Sequence, residues 1–522
     1  MKNSFDEIPY PGLAFPQTHP ERLATLAAMF GLDAPPVEHS RVLEIGCGDG
    51  GNLIPIAFGL PGAQCLGIDL AGAAIARGCE LISPLGIGNV SLREFDILDA
   101  GRDFGEFDYI LCHGVFSWVP APVQEKILEI CATNLSPRGV AFVSYNAYPG
   151  GHLRDMLRRM MLFRAAEFDE PATKIREANS LLQFLSEQAI ASDSYGSFLK
   201  EEVALSRERS DALRFHDDLA DVNVRLYFHE FVERAARHGL QYLADADFAD
   251  HRFRPQFLDA LKACAGDDLL KREQYFDFLL CRTFRNTLLC RSGAHIEREA
   301  RPERLAAFHF ACPAEPEPQN PDVESGEVVT FPGRRKASLK SGHPFVKASL
   351  LELCRAWPQA LRFDELLARV QERFSRAARG GASADSAPPG ASELAEILFL
   401  ACGASVVVPH LHVPRLAAGL SARPEASALA RTQVRLGRTL TSLWHEPAAP
   451  EDLLARHLLA LADGTRDREA LSRELVGLIK SGAISIQENG RAVTDEAAIA
   501  RFISAGLENG LRQLERMALL VA

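Results

Sequence analysis

Four glycines crowd the turn that follows an apolar run in RVLEIGCGDGG, residues 41–51: Gly46, Gly48, Gly50 and Gly51. So bare a turn lets the backbone come close to a ligand, and the helix start behind it adds a positive end. Gly46, Gly48 and Gly51 have the G-x-G-x-x-G spacing of a dinucleotide loop. Glu44, two positions ahead of the first glycine, can accept hydrogen bonds from a ligand amino group or brace the turn. A second apolar run, AQCLGIDL, ends in Asp69 about 20 residues past the glycines, where a carboxylate can hold ribose hydroxyls. These residues alone fit a hydride carrier and a methyl carrier equally.

The elements that must position them separate the two. VSLREFDI places Asp96 after a third apolar run, FDYILCHG places His113 and Gly114 after a fourth, and LSPRGVAFVSYN turns into a fifth. With Glu44 before the loop, Asp96 after the third strand, F-D-x-I at Phe107 to Ile110 and L-x-P-x-G at Leu135 to Gly139, the chain resembles the class I S-adenosylmethionine-dependent methyltransferases. The resemblance implies a Rossmann-like α/β core of seven strands with S-adenosyl-L-methionine as cofactor. It implies that Glu44 and the backbone of Gly46, Cys47 and Gly48 approach the cofactor, with Asn52 and Leu53 on the first helical turn beneath it. Asp69 would hold the ribose, Leu70 would pack on the adenine, and Asp96 and Ile97 would contact its edge and face. His113, Gly114, Val115 and Trp118 would occupy the loop between cofactor and acceptor.

Methyl transfer from a sulfonium is an in-line displacement, so the protein has to align acceptor and donor and exclude water, and needs no metal. Trp118 reads either as a wall of the methyl channel, attracting a cation through its π face, or as a buried anchor of the helix beyond Pro120. VSYNAYPGGH puts Tyr145, Asn146 and Tyr148 near the reaction centre. For an amine acceptor, Tyr145 and Asn146 are the candidate orienting groups and His113 or His152 the candidate bases. From the leader, the resemblance brings Tyr10, Phe15, Thr18 and His19 back over the pocket. His410 and His412 alternate in VVVPHLHVP, share a face, and read as surface structure.

At 522 residues the chain exceeds one typical domain. A net charge of −12 speaks against a nucleic-acid backbone as the main partner. Eleven cysteines without a C-x-x-C pair read as scattered thiols of a reducing compartment. The start MKNSFDEIPYPG lacks an apolar signal region and no run reaches membrane-spanning length, so the expected location is cytoplasmic, with no membrane partner.

The expected organisation is a leader at 1–39 covering the cofactor site and a methyltransferase core at 40–150. A helical insert with a regulatory domain follows at 151–300, then a linker at 313–327. An α+β winged-helix-like domain fills 328–522, with a flexible stretch near 376–392 and a hairpin turning at Asn489 and Gly490. Helical patterning runs from 147 to about 295. The blocks GCGDGGNLIPIA, HGVFSWVP and VSYNAYPGGHLRDM are similar to bacterial methyltransferases carrying a methyltransferase regulatory domain, and LADVNVRLYFHEFVERAARHGLQYLADADF resembles that domain itself. ARTQVRLGRTLTSLWHEP and LLALADGTRDREAL resemble the C-terminal domain of rickettsial-type protein lysine methyltransferases, whose characterised members methylate outer-membrane surface proteins. That implies a protein substrate, with a surface protein and a homodimer left open. A small-molecule acceptor is the alternative. A cofactor-sensing DNA-binding regulator is the third reading, and REALSRELVGLIK mixes its charges too evenly for a basic recognition helix.

Overall fold

The computed structural model describes residues 12–189, 193–207, 211–247, 255–334, 337–379, 390–450, 452–484, 487–488, 491–492 and 495–521. Five parallel strands, β1 (Arg41–Ile45), β2 (Gln64–Asp69), β3 (Val90–Glu94), β4 (Phe107–Cys112) and β5 (Leu135–Ala147), form the first part of one sheet. A short β6 (Arg225–Leu226) pairs parallel with the end of β5, and β7 (Leu240–Asp245) and β8 (Phe284–Arg291) complete the order β3-β2-β1-β4-β5-β8-β7. β8 runs antiparallel to both β5 and β7. The central strands are unbroken apolar runs because both faces are covered. Helices α1 (Pro20–Met29), α2 (Leu53–Gly59), α3 (Gly72–Leu85) and α4 (Ala121–Thr133) supply that cover within the first 133 residues. The parallel order brings the C-terminal ends of β1, β2, β4 and β5 to one rim.

The helical patterning expected through residue 295 is broken by β7 and β8. FRNTLLCR is buried over Arg285 to Cys290, and a short run buried on both faces has no period to distinguish it from a buried helix. The sheet therefore does not end near residue 150: its last two strands come from beyond residue 239. Between β5 and β6 the helices Gly151–Ala165, Pro171–Gln188 and Ser194–Arg207 build a small core of their own around Leu157, Met161, Leu182 and Leu199. Arg285, wholly buried on β8, donates to Asp277, Glu273 and Asp245 and lies 4.1 Å over the Phe228 ring. It locks the helix Leu269–Leu280 to the sheet.

The Pro- and acid-rich stretch at 313–327 is less a linker than a bound strap. Buried Lys347 donates from Nζ to the carbonyls of Asp322, Ser325 and Glu327, and one apolar cluster runs from α1 and α2 through Phe310, Phe331 and Leu350 to Val407. A separate core, spanning Ala417 to Leu520, belongs to the C-terminal helices Ala428–Arg435, Leu453–Leu461, Arg468–Lys480 and Glu496–Arg516. Gln487–Glu488 pairs antiparallel with Arg491–Ala492, and the expected turn at Asn489 and Gly490 lies outside the described residues, as do 380–389 of the stretch expected to be flexible. His410 corrects the surface reading: it is buried, its Nδ1 3.1 Å from Glu21 Oε2 of α1, while His412 meets Glu38. Only the folded chain brings residue 21 to residue 410.

Candidate active site

β1 hands the chain to α2 through residues 46–52. Five amides of that turn are engaged within the protein. Gly46 and Cys47 donate to the Ile68 carbonyl at 2.8 and 3.1 Å, and Gly50 donates to the Cys47 carbonyl at 2.9 Å. Gly48 donates to Asp69 Oδ2 at 2.8 Å and Gly51 to Asp49 Oδ1 at 3.1 Å. A pyrophosphate cradle needs such N–H groups aimed outward, so this loop is poorly suited to a dinucleotide. It presents instead the bare face of Gly48, where a Cβ would meet nothing within 4 Å, flanked by carboxylates. Gly51 serves another neighbour, since a Cβ there would stand 2.5 Å from Gly12 Cα. The leader backbone crosses the loop at that point.

Glu44 is buried on β1. Its Oε1 accepts from Asn52 Nδ2 at 2.7 Å, while Oε2 is buried with no hydrogen-bond partner. Burial, reinforced by Asp69 and Asp49, pushes its pKa up to about 8 against the bond from Asn52. A buried carboxyl oxygen without a hydrogen-bond partner is costly, which marks Oε2 as a point for a polar group of a ligand. Asp69 Oδ1 accepts from the Ala71 amide at 2.8 Å, and Leu70 between them is 59% exposed. On the neighbouring strand end Asp96 accepts from the Leu98 amide at 2.9 Å, with Ile97 nearly buried beside it. An orphaned carboxyl oxygen, an open glycine face and two fixed carboxylates at adjacent strand ends fit S-adenosylmethionine, which carries an amino group, a sulfonium and a ribose. Leu53 is fully buried in the core beneath the turn, and the Cys47 side chain turns inward against Gly67, so that at Cys47 only the backbone is on the ligand side. Both support the turn from behind.

On the acceptor side Tyr145 is corrected. Side chains alternate along β5, so while Ser144 Oγ accepts from the Gly114 amide at 2.8 Å, Tyr145 points to the other face. There it is 1% exposed, stacks on Phe231 at 4.1 Å, and its hydroxyl meets Thr287 Oγ1 at 3.4 Å. It is a core residue. Asn146 is half-buried; its amide N donates to Ser117 Oγ at 2.8 Å and its Nδ2 to Asn223 Oδ1 at 2.9 Å. Tyr148 stacks on His152 at 4.0 Å and lies 5.2 Å from Tyr227, whose hydroxyl is 3.2 Å from His152 Nε2.

His113 is wedged 4.1 Å from the Phe15 ring and 5.7 Å from Phe142, and burial pulls its pKa to about 4. So weak a base does not take a proton from an ammonium, which corrects its expected role as base and leaves it a wall. Val115 packs against Gly46. Trp118 is half-buried, and Phe116, fully buried, is the anchor of that loop instead. In the leader, Phe15 donates its amide to Asn52 Oδ1 at 2.9 Å and Thr18 Oγ1 lies within 3.1 Å of the same amide group. His19 caps α1, its Nδ1 accepting from the Glu21 amide at 3.1 Å. Tyr10 lies outside the described residues.

Several residues at the site were not legible in the sequence. Ser117, Ser144, Asn223 and Tyr227 carry no spacing signal, and neither do His445 and Arg438, which reach the glycine loop from the C-terminal domain. His445 Nε2 lies 2.8 Å from Asn52 Oδ1, and Arg438 donates to Asp49 Oδ2 at 2.8 Å. Among the described residues no group of three or more His, Cys, Asp or Glu is arranged to hold a metal ion, and no helix is long and apolar enough to cross a membrane.

Three family models match the chain: a methyltransferase domain over residues 43–141, a predicted methyltransferase regulatory domain over 210–291, and the PKMT C-terminal winged helix domain over 422–519. An uncharacterized protein of Rickettsia prowazekii, RP789, is 30% identical over 510 residues, covering 96% of this chain and 90% of its own length. A second from the same organism, RP028, is 41% identical over 237 residues, 45% of this chain and 95% of its own. The solved structure of PKMT2 from Rickettsia typhi in complex with AdoHcy superposes with a TM-score of 0.85 at 28% identity, covering 98% of this chain and all of that one.

Proposed function

Because the chain belongs to the S-adenosylmethionine-dependent methyltransferases that carry a regulatory domain and a PKMT-type winged-helix domain, we propose that it methylates lysine side chains of a protein substrate. The observation that carries this reading is the aromatic end of β5. Half-buried Tyr148 and Tyr227 and exposed His152 form an aromatic cluster just beyond Asn146, on a surface open to a side chain presented by another protein. Winged-helix and helical modules far exceed what a small acceptor needs.

When bound, S-adenosylmethionine supplies an electrophilic methyl group on sulfur. Asp69, its oxygens already fixed by two amides, would hold the ribose, and Glu44 would receive the amino-acid ammonium. Leu70, Ile97 and Asp96 would hold the adenine. Aromatic faces at Tyr148 and Tyr227 attract the lysine ammonium, and partial desolvation there lowers its pKa so that the neutral amine forms. Its proton leaves to water or to His152, which lies against Tyr148 and Tyr227. Asn146, whose Nδ2 is held by Asn223, offers its carbonyl oxygen to an amine N–H and so aims the nitrogen lone pair. Phe15, His113 and Trp118 exclude water from the line of transfer.

The test is incubation of the full chain with isotope-labelled S-adenosylmethionine and total cell protein, followed by mass spectrometry. Label on lysine, lost in Asp69→Ala, is the expected result. Label confined to low-mass compounds would overturn the protein acceptor and leave the methyltransferase intact.

A further inference from the structure

Asn52 is the hub of the cofactor turn, and its hydrogen bonds are complete. Thr18 Oγ1 donates to the Phe15 carbonyl at 2.8 Å, so its hydroxyl is left to accept from Asn52 Nδ2 at 3.0 Å. The second Nδ2 hydrogen goes to Glu44 Oε1 at 2.7 Å. Oδ1 then needs two donors. One is the Phe15 amide; the other is His445 Nε2 at 2.8 Å. His445 therefore carries a proton on Nε2, and burial, which holds its pKa well below the usual histidine value, favours the neutral ring.

Nothing local accounts for a histidine at this place. His445 sits at the tip of a hairpin between Leu440–Thr441 and Pro447–Ala448 with φ +59, a conformation that favours glycine or asparagine. The hairpin holds it there. Trp444 stacks against Trp357 and His410 and donates to the Pro358 carbonyl at 3.0 Å, and the Leu443 amide donates to the Ala518 carbonyl. Seven residues earlier Arg438 donates one nitrogen to Asp49 Oδ2 and another to the Arg77 carbonyl of α3 at 2.6 Å. Two side chains from one domain thus grip the middle and the C-terminal end of a loop belonging to another.

We propose that the winged-helix domain completes the cofactor site: His445 and Arg438 are positioning residues, His445 holding the Asn52 amide against Glu44 and Arg438 holding Asp49. The inference rests on the methyl-donor chemistry and is independent of the acceptor. Its consequence is that displacement of this domain, by a bound substrate protein for example, loosens the donor half of the site.

Calorimetric binding of S-adenosylhomocysteine to the full chain, across pH, tests it. His445→Ala leaves Asn52 Oδ1 one donor short and weakens binding about tenfold, and His445→Gln, which keeps an N–H at similar reach, restores most of it. The pH readout separates positioning from general loosening. The ionisable groups around Glu44 are Asp69, Asp49, Cys47, Cys65 and Cys112, with neutral His445 behind Asn52. An Asn52 amide that no longer holds its N–H on Oε1 lets Glu44 titrate higher, so the midpoint of the binding profile moves up in His445→Ala and returns in His445→Gln. Arg334→Ala, which breaks the contact with Glu446 next to His445, leaves affinity and midpoint unchanged. Unaltered binding by a folded His445→Ala, or an equal loss in Arg334→Ala, overturns the proposal. Should His445→Ala not fold, His445→Gln and Arg438→Ala carry the test: near-normal binding in the first and a severalfold loss in the second support it, and normal binding in Arg438→Ala overturns it.

Discussion

The donor and acceptor halves of the site are built in opposite ways. Around the glycine loop most polar groups of the described residues already have a protein partner, and the side-chain atoms left over at the site, Glu44 Oε2 and His113 Nδ1, are buried. Around Tyr148 and Asn146 the side chains are half-buried, aromatic and held by residues about 75 positions later, Asn223 and Tyr227. The contrast teaches a division of labour. A cofactor of fixed shape is met by a turn that is rigid before it binds, which lowers the ordering cost of binding. An acceptor delivered on another macromolecule, as proposed above, would be met by an open aromatic end that aims it.

The sharpest way to break this comparison is at Asp69. Asp69→Ala removes the acceptor for the Gly48 and Ala71 amides along with the ribose ligand. Two or more charge-assisted bonds at about 1.5–3 kcal/mol each predict a loss of S-adenosylhomocysteine affinity on the order of 100-fold or more by calorimetry. Tyr148→Ala strikes the other half. It raises KM for a lysine substrate about tenfold through the lost cation–π and packing contact, while affinity for S-adenosylhomocysteine stays within twofold; an equal loss in both would dissolve the division.

Glu44 sharpens the donor side. With its pKa raised to about 8 it is protonated at neutral pH, and an ammonium beside it requires the carboxylate, so binding releases a proton. The S-adenosylhomocysteine Kd accordingly falls by roughly tenfold per pH unit at most as pH rises toward 8 and levels above it, and Glu44→Gln removes the dependence. A flat profile in the unaltered chain would exclude the pairing. The smallest effect is expected at Tyr145→Phe, within about twofold in activity, whereas Tyr145→Ala, by emptying a stacked core position, costs about 3–5 kcal/mol of stability in denaturant unfolding.

The donor half was legible because its geometry is local. Glu44, Gly46 and Gly48 lie within five residues of each other, and Asp69 and Asp96 mark the ends of the next two strands, so order along the chain is order along the rim. Tyr145 was misassigned for a reason of parity: a strand residue near the rim faces the site or the core according to register, and β5 turns Ser144 and Asn146 one way and Tyr145 the other. His113 has the right place and the wrong chemistry, since the rings of Phe15, Phe142 and Phe284 that desolvate it come from three other segments. β7 and β8 were hidden by their burial.

Sequence by itself determined the order of the first five strands and the identity of the carboxylates and, through resemblance to the class I methyltransferases, the methyl-donor chemistry, because these rest on motifs whose members lie close together in the chain. Tertiary structure decided which side chains face the ligand, how basic they are, and that residues near 440 close upon residues near 50. Those depend on strand register, on burial by distant segments and on domain packing, and none of these leaves a spacing in the sequence to be read.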